Sequence, residues 1–341
     1  MIKSTGNSLK MQVVITPKSQ TSLLILFATY FKSINSPDSE FYQPEDDVIV
    51  FNERYVQGEF IVMFDELNAS ITNDEILKAC SQLNNGKSGG PDKFLNEFLK
   101  YGIDCFLPCV NRLFNKIFDL GYFPEEWTNG YIIPLHKKGD INNHEHYRGI
   151  TLLSTLGKLY RRLINNRLSK WEEDYYVYVY AQAGFRTKMS TVNNNFILSS
   201  VINHMPNSNK KLFTCFVDYT KAFDLIVRET IWYKLIKLGL RGNILNIIKS
   251  FYLQLKSSVE CNTTISDTFL CTLGVAQGDY LSPFLFTMYI NDLEETLMLK
   301  GHLCIDIHML KLYVLLYADD IVLMSETAED LQNALNILKS L

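Results

Sequence analysis

The chain has 341 residues, 47% hydrophobic and 21% charged, with 19 Tyr and 21 Phe, a balance that excludes extended disorder and allows a sizeable core. A formal net charge of −4 weighs against a surface coated in cations for nucleic acid. Seven Cys without a CxxC pair exclude a dense disulfide framework and imply an intracellular protein, nuclear or cytoplasmic rather than secreted.

Leu23 to Ala28, with Tyr30 and Phe31, is too short an apolar run to span a bilayer and reads as the buried stripe of an amphipathic helix. From Asp38 to Glu66 nine acidic residues face one basic residue, Arg54, in a stretch that also carries Pro37 and Pro44. Thr72 followed by Glu75 predicts a capped helix start, with Ile76, Leu77 and Leu83 inward and an end at Asn85-Gly86. Gly86 to Asp92 is a connecting loop, because the glycine spacing of a phosphate loop is absent. Apolar helices follow to about Leu120, in which Cys105 and Cys109 share a face and are expected to pack. His144 and His146 have no further ligand at zinc-site spacing.

Tyr131 to Leu135 predicts a short strand turning at Lys137-Lys138-Gly139-Asp140. Thr151 to Leu168 has helical spacing and, from Lys158 to Lys170, a basic outer face; between His136 and Lys170 eight Lys or Arg face only Asp140 and Glu145. Read alone, that is a solvated helix face. Tyr175 to Tyr180 is a strand-like aromatic segment. Leu212 to Val217 reads as a buried strand with Asp218 at its tip, and Ile231–Leu240 and Ile244–Leu255 as helices. Pro283 opens a helix running from Phe284 to Leu299. Leu312–Leu316 and Ile321–Met324 predict a tight hairpin around Tyr317-Ala318-Asp319-Asp320.

Adjacent carboxylates between such apolar flanks sit where charge is costly, and divalent cations relieve that cost best. Hard oxygen ligands without His or Cys select magnesium, which completes its octahedron with water and phosphate oxygens. With Asp218 as a further anchor, two ions about 3.5–4 Å apart would suit in-line phosphoryl chemistry. Composition leaves this one option among several.

Seven ordered blocks narrow it. They are Gly90-Pro91-Asp92 with Asn96-Glu97-Phe98-Leu99-Lys100; Ile133-Pro134-Leu135-His136-Lys137-Lys138-Gly139-Asp140; Tyr147-Arg148-Gly149-Ile150-Thr151-Leu152-Leu153; and Gln182-Ala183-Gly184-Phe185-Arg186 with Ser190-Thr191. The last three are Phe216-Val217-Asp218-Tyr219-Thr220-Lys221-Ala222-Phe223-Asp224, Gly278-Asp279-Tyr280-Leu281-Ser282-Pro283 and Tyr317-Ala318-Asp319-Asp320. From about Ile71 onward the chain resembles the reverse transcriptases of non-LTR (LINE-like) retrotransposons. The resemblance implies RNA-directed DNA synthesis by two-metal transfer of deoxynucleotides to a primer 3′-hydroxyl. RNA template, DNA primer and deoxynucleoside triphosphates would be the partners, and Mg2+, or Mn2+ in its place, the cofactor.

The implied roles are specific. Asp218 and Asp319 would bridge the metals, with Asp320 reinforcing the site. Phe223, five residues after Asp218, would reject a ribose 2′-hydroxyl. Arg148 and Lys137 or Lys138 would hold the triphosphate, and Gln277 and Gly278 would border the nascent base pair. Gly184, Phe185 and Arg186, and the basic face carrying Lys158, Arg161 and Arg162, would contact the template. Asp224 and Asp279 would serve structural hydrogen bonds.

The implied fold is α+β, the fingers and palm of a right-hand polymerase, with an antiparallel palm sheet backed by helices. Its division is a lead-in over 1–66, a helical finger extension over 67–116, and a reverse transcriptase domain over 117–341 (fingers 117–205, palm 206–341). The thumb and the block carrying a catalytic Lys would normally follow Leu341, so the reading is of a truncated copy or fragment, with no endonuclease before the palm. Departures from the family pattern are Ala276, Lys93-Phe94-Leu95, Asn193 and the Tyr175–Tyr180 segment. Two other readings stand: a catalytically inactive remnant acting at most as an RNA-binding module, and another palm polymerase such as an RNA-templated RNA polymerase or a maturase. Tyr317-Ala318-Asp319-Asp320 and Phe223 favour DNA synthesis.

Overall fold

The computed structural model describes residues 20–36, 64–141, 143–262, 264–307 and 310–340. Pro37, Pro44 and most of the acidic stretch between the first two helices lie outside the described residues. Helix α1 (Gln20–Asn35) buries Leu24, Phe27, Phe31 and Ile34, the stripe expected of it. After the short α2 (Asp65–Asn68), α3 (Asn73–Ser81) opens on the anticipated capping box, in which Thr72 Oγ1 accepts from the Glu75 N–H and Glu75 accepts from the Thr72 N–H at 2.9 Å. This helix ends earlier than its apolar pattern suggested, although Leu83 beyond it remains buried. Helix α4 (Asn96–Leu120) buries Leu99, Ile103, Val110, Phe114 and Ile117. Cys105 and Cys109 do not pack as expected: they share the opposite, exposed face.

Strands β1 (Asn129–His136) and β2 (Tyr147–Leu153) form an antiparallel hairpin whose tip carries Lys137 and Lys138. The helix expected from Thr151 begins instead at α5 (Thr155–Asp174), because β2 runs on to Leu153 and Ser154 becomes the N-cap. Asp92 explains the switch, accepting from Ser154 Oγ at 2.8 Å and the Thr155 N–H at 3.0 Å, so the Gly90-Pro91-Asp92 loop is tied to this start. Tyr175 to Tyr180 is no strand. Asn291 holds it instead, accepting from the Val179 N–H and donating to the Val177 carbonyl. Helix α6 (Thr191–Asn207) starts on a second capping box, Ser190 with Asn193, in which the departing Asn takes the acceptor position.

Strand β3 (Phe213–Asp218), helices α7 (Arg228–Lys237) and α8 (Asn243–Leu253), and strands β4 (Lys256–Cys261), β5 (Thr264–Ile265) and β6 (Phe269–Leu270) follow. The helix expected over Phe284–Leu299 divides into α9 (Ser282–Ile290) and α10 (Leu293–Leu299), since Asn291 serves the Val177–Val179 segment and Asp292 accepts from Lys234 Nζ at 2.6 Å. Strands β7 (Ile305–Ile307), β8 (Leu310–Leu312), β9 (Val314–Tyr317) and β10 (Asp320–Ser325) and helix α11 (Ala328–Lys339) complete the described chain.

The first sheet is mixed: β1 pairs antiparallel with β2 and parallel with β4, which also pairs β5 and β6. The second, β3-β10-β9, is antiparallel throughout. One face of it, with Val314, Leu316, Ile321 and Leu323, joins a core that runs from Leu24 to Ala334. Its other face packs Leu315 and Met324 against Val201 and Met205 of α6. As the edge strand, β3 is not buried on both faces as its apolar run suggested, and Phe216 is 70% exposed.

The basic outer face expected from Lys158 to Lys170 does not form. Arg161 is wholly buried and ion-paired to the equally buried Asp279 at 2.5 Å, between the rings of Phe123 and Phe251. Arg167 is buried against Glu75 and the carbonyls of Leu67, Ala69 and Ser70, and burial lowers the Lys158 pKa. Template contact by Arg161 is thereby withdrawn. Its long stem and planar fork fit a core whose carbonyls and carboxylates need donors. Arg228 works similarly, donating to the carbonyls of Gly274, Tyr252, Cys271 and Leu273 and so fixing the segment that enters Ala276-Gln277-Gly278.

Removing one member of a buried pair leaves an uncompensated charge. Asp279→Ala is expected to cost about 3–5 kcal/mol in urea unfolding, while Arg161→Met combined with Asp279→Leu recovers most of it. Equal destabilisation by the single and double variants would refute the ion-pair account.

Candidate functional site

The register of the second sheet sets the geometry. Asp320 stands directly opposite Asp218 across the β3–β10 pair, and Tyr317 pairs with Asp320 to close a two-residue loop, Ala318-Asp319. Three carboxylates separated by a hundred residues therefore share one sheet end. Strands β9 and β10 beneath are largely buried, but β3 and the carboxylates are not: Asp218 and Asp320 are exposed and Asp319 is half-buried. Partial desolvation, then the charges of Asp319 and Asp218, hold the Asp320 carboxyl above its ordinary pKa. Among the described residues no group of three or more Asp, Glu, His or Cys side chains is placed to hold a metal ion by itself. The donor set nevertheless fits magnesium, which takes one or two protein carboxylates and draws its other oxygens from water and phosphate.

The loop itself is strained. Ala318 has φ 55°, in the left-handed region where the first position of such a loop ordinarily takes glycine. Gln182, fully buried, serves both polar groups of Ala318: its Oε1 accepts from the Ala318 N–H at 3.0 Å, and its Nε2 donates to the Ala318 carbonyl at 3.3 Å. The same Oε1 accepts from the Gly184 N–H at 2.7 Å. Ala181 and Ala183 bond Leu316 through their backbones, and a Cβ on Gly184 would stand 2.1 Å from the Ala318 nitrogen. Gly184 is therefore a close-packing position against the acidic loop. The sequence signal for this brace was the Gln182–Arg186 block, but nothing in its residues revealed which partner it meets.

Phe185 is exposed and edge-on to Phe223, whose ring stacks on Phe286 at 4.8 Å. Arg186 lies over the Tyr178 ring and donates to the Gln182 carbonyl. Arg162 is half-buried, bonded to Gln82 and over the Tyr280 ring. Behind them a small cavity of about 50 Å³ is lined by Asn165, Ser169, Glu172, Arg186, Tyr280 and Thr287.

A second polar group surrounds Asp224. Gln277 Nε2 donates to it at 3.0 Å, and the charges of Lys221, Arg148 and Lys137 reach it from the β3 loop, β2 and the hairpin tip. Burial outweighs these cations and pushes the Asp224 carboxyl up to about 6. Lys137, Lys138 and Arg148 are exposed. Gly278, at φ 107°, lies against the Thr151 carbonyl of β2. Missed in the sequence were Lys221, whose ammonium sits 4.8 Å over the Tyr30 ring, and Tyr30 itself, whose hydroxyl is pushed up to about 12 by burial and by Glu145 and Asp224. A tyrosine in a separate helix carries no local motif that announces such a contact.

Comparison with known proteins shows the family to which the chain belongs. The family profile described as reverse transcriptase (RNA-dependent DNA polymerase) matches residues 135–341. The chain belongs to that family. It is 30% identical over 264 residues to the RNA-directed DNA polymerase from mobile element jockey of Drosophila funebris, covering 75% of this chain and 28% of the relative. To the probable RNA-directed DNA polymerase from transposon BS of Drosophila melanogaster it is 29% identical, covering 78% and 29%. To a Pol polyprotein from a type-1 R2 retrotransposable element of Popillia japonica it is 28% identical, covering 60% and 29%. These relatives are non-LTR retrotransposon proteins, the family the sequence blocks resemble, and the chain spans under a third of their length. Among the described residues no helix is long and apolar enough to cross a membrane.

Glu172 gives a test of this region's electrostatics. Burial, then the charge of Glu173, pushes its carboxyl up to about 7 against the opposing pull of Arg186. The folded state thus holds a proton that the unfolded chain releases near 4.5, and stability falls as pH rises from there through about 7. Glu172→Gln is expected to gain thermal stability relative to the parent as pH rises from about 5 to about 8. A constant difference in melting temperature across that range would contradict the assignment.

Proposed function

We propose that the chain is the fingers and palm of an RNA-directed DNA polymerase of a LINE-like retroelement, extending a primer 3′-hydroxyl with deoxynucleotides on an RNA template. The observation that carries the reading is the cross-strand pairing of Asp218 with Asp320 beside Asp319 in a member of the reverse transcriptase family. In this reading residues 117–205 are fingers, 206–341 palm and 67–116 a helical finger extension.

Asp218, Asp319 and Asp320 would hold two Mg2+ ions, with Mn2+ as a substitute. When bound, the ions would favour deprotonation of the primer hydroxyl and stabilise the departing pyrophosphate. The chain's other residues orient the nucleotide. Arg148 and Lys137, whose charges already reach Asp224 beside the palm, offset the triphosphate's charge. Lys138 extends that cationic tip. Gln277, tied to Asp224, and Gly278, with no side chain over β2, border the base pair. Phe223 cannot swing aside easily, because Phe286 stacks beneath it and Phe185 meets its edge; a fixed ring excludes a 2′-hydroxyl sterically. Phe185, Arg186 and Arg162 remain the residues through which template contact is assigned, while Lys158, buried in α5 like Arg161, is withdrawn from that role.

Asp319→Asn is expected to abolish magnesium-dependent extension of a DNA primer on RNA while leaving RNA binding within about twofold, since one neutralised ligand removes transition-state rather than ground-state interaction. Equal loss of both would make Asp319 a structural residue. RNA binding by the parent chain with no extension at all would favour the inactive binding module. Phe223→Ala should raise ribonucleotide incorporation by about tenfold or more, read as the ratio of kcat/KM values for the two sugars. Unchanged sugar discrimination removes the ring's assignment.

A further inference from the structure

Nothing in the family match or the relatives' names gives Gln182 a task, yet its side chain is among the most completely used polar groups near the carboxylates. We infer that Gln182 is a positioning residue for the metal-holding carboxylates: its amide clamps the strained Ala318-Asp319 loop in the shape that sets Asp319 and Asp320 opposite Asp218. The inference rests on the polymerase reading above and says which group keeps that site assembled.

Four observations support it. Gln182 is wholly buried, so no water competes for its amide. It bonds both the N–H and the carbonyl of Ala318, the one residue of the loop with a left-handed backbone. Its own backbone is immobilised, because Ala181 and Ala183 on either side exchange hydrogen bonds with Leu316 of β9, and Asn194 Nδ2 adds a bond to the Leu316 carbonyl at 3.0 Å. Gly184 then lets this segment approach the loop more closely than any side chain would permit. A short side chain on a rigid support, aimed at a single strained residue, is a preorganised clamp rather than a general packing contact. Without it, an alanine at φ 55° relaxes toward an ordinary turn, and the two carboxylates that follow in sequence move with it. Glycine at this position would hold the same backbone without help. That difference makes the inference testable.

The experiment measures Mn2+ binding by electron paramagnetic resonance on the 341-residue chain without nucleic acid, and then primer extension. Gln182→Met keeps the volume and loses every side-chain hydrogen bond. Its Mn2+ dissociation constant is expected to rise about tenfold, with kcat falling and the deoxynucleotide KM nearly unchanged. Adding Ala318→Gly to Gln182→Met should bring the Mn2+ affinity back to within about threefold of the parent, since glycine adopts the loop conformation freely. Hydrogen exchange at the Ala318 amide should quicken in Gln182→Met independently of any activity. Should Gln182→Met fail to fold, Gln182→Asn, one methylene shorter and still polar, gives the same comparison. Parental Mn2+ affinity in the folded Gln182 variant, or no recovery with glycine, overturns the clamp. Asp319→Asn separates the two readings: if it too leaves Mn2+ binding untouched, the carboxylate site itself is wrong, and the clamp falls with it.

Discussion

The constraint on which the rest depends is the antiparallel register of β3 and β10. Side chains alternate between the faces of a strand, so a slip of one residue would send Asp218 or Asp320 to the opposite face of the sheet. The register is held because both faces of the sheet are committed. Ile321 and Leu323 belong to the main core, while Met324 belongs to the smaller core under α6. No alternative pairing buries both sets. The apolar residues of the hairpin thus contribute to the site's chemistry only through position: they decide which carboxylates meet.

Cations divide between two employments. Arg161, Arg167 and Arg228 are buried and satisfied by carboxylates or carbonyls, and each joins segments far apart in the chain. A buried guanidinium bonded to carboxylates or carbonyls is costly to misplace, so these residues specify which loops come together as much as they stabilise them. Lys137, Lys138 and Arg148 remain exposed, and the charges of Lys137 and Arg148 reach Asp224. The modestly negative net charge is compatible with a local cationic surface, because Lys137, Lys138 and Arg148 are exposed close together on β2 and the turn that joins it to β1.

Helix α1 lies outside the residues matched by the family profile, yet it reaches the same neighbourhood. Phe27 meets Tyr147 edge-on at 4.6 Å, Tyr30 meets His144 at 4.5 Å, and Lys221 lies over Tyr30. The helix thereby touches both the hairpin that carries Arg148 and the loop that carries Phe223 and Asp224. Packing of this kind couples the β1–β2 hairpin to the loop after β3 through aromatic contact rather than through the backbone.

Much of this was legible in the residues alone. Short continuous apolar runs located the strands of the acidic hairpin, and Thr72 with Glu75 located a helix start, because those patterns act over a few residues and meet their partners locally. Seven blocks in one order were enough to indicate the family. The tertiary structure decided what depends on partners distant in sequence. Arg161 and Arg167 of α5 look outward by composition but turn inward, since Asp279 and the carbonyls of the Leu67–Ser70 segment offer acceptors that no local pattern reveals. Thr151 lies on a strand rather than a helix because Asp92 captures Ser154 and Thr155, and Asn291 breaks a helix because its amide is needed by Val177 and Val179. Gln182 reads as one polar residue in a loop, and only the folded chain brings its amide to Ala318. Local propensity is set by neighbours along the chain, whereas buried charge and amide groups take whichever partner the packed core leaves unsatisfied.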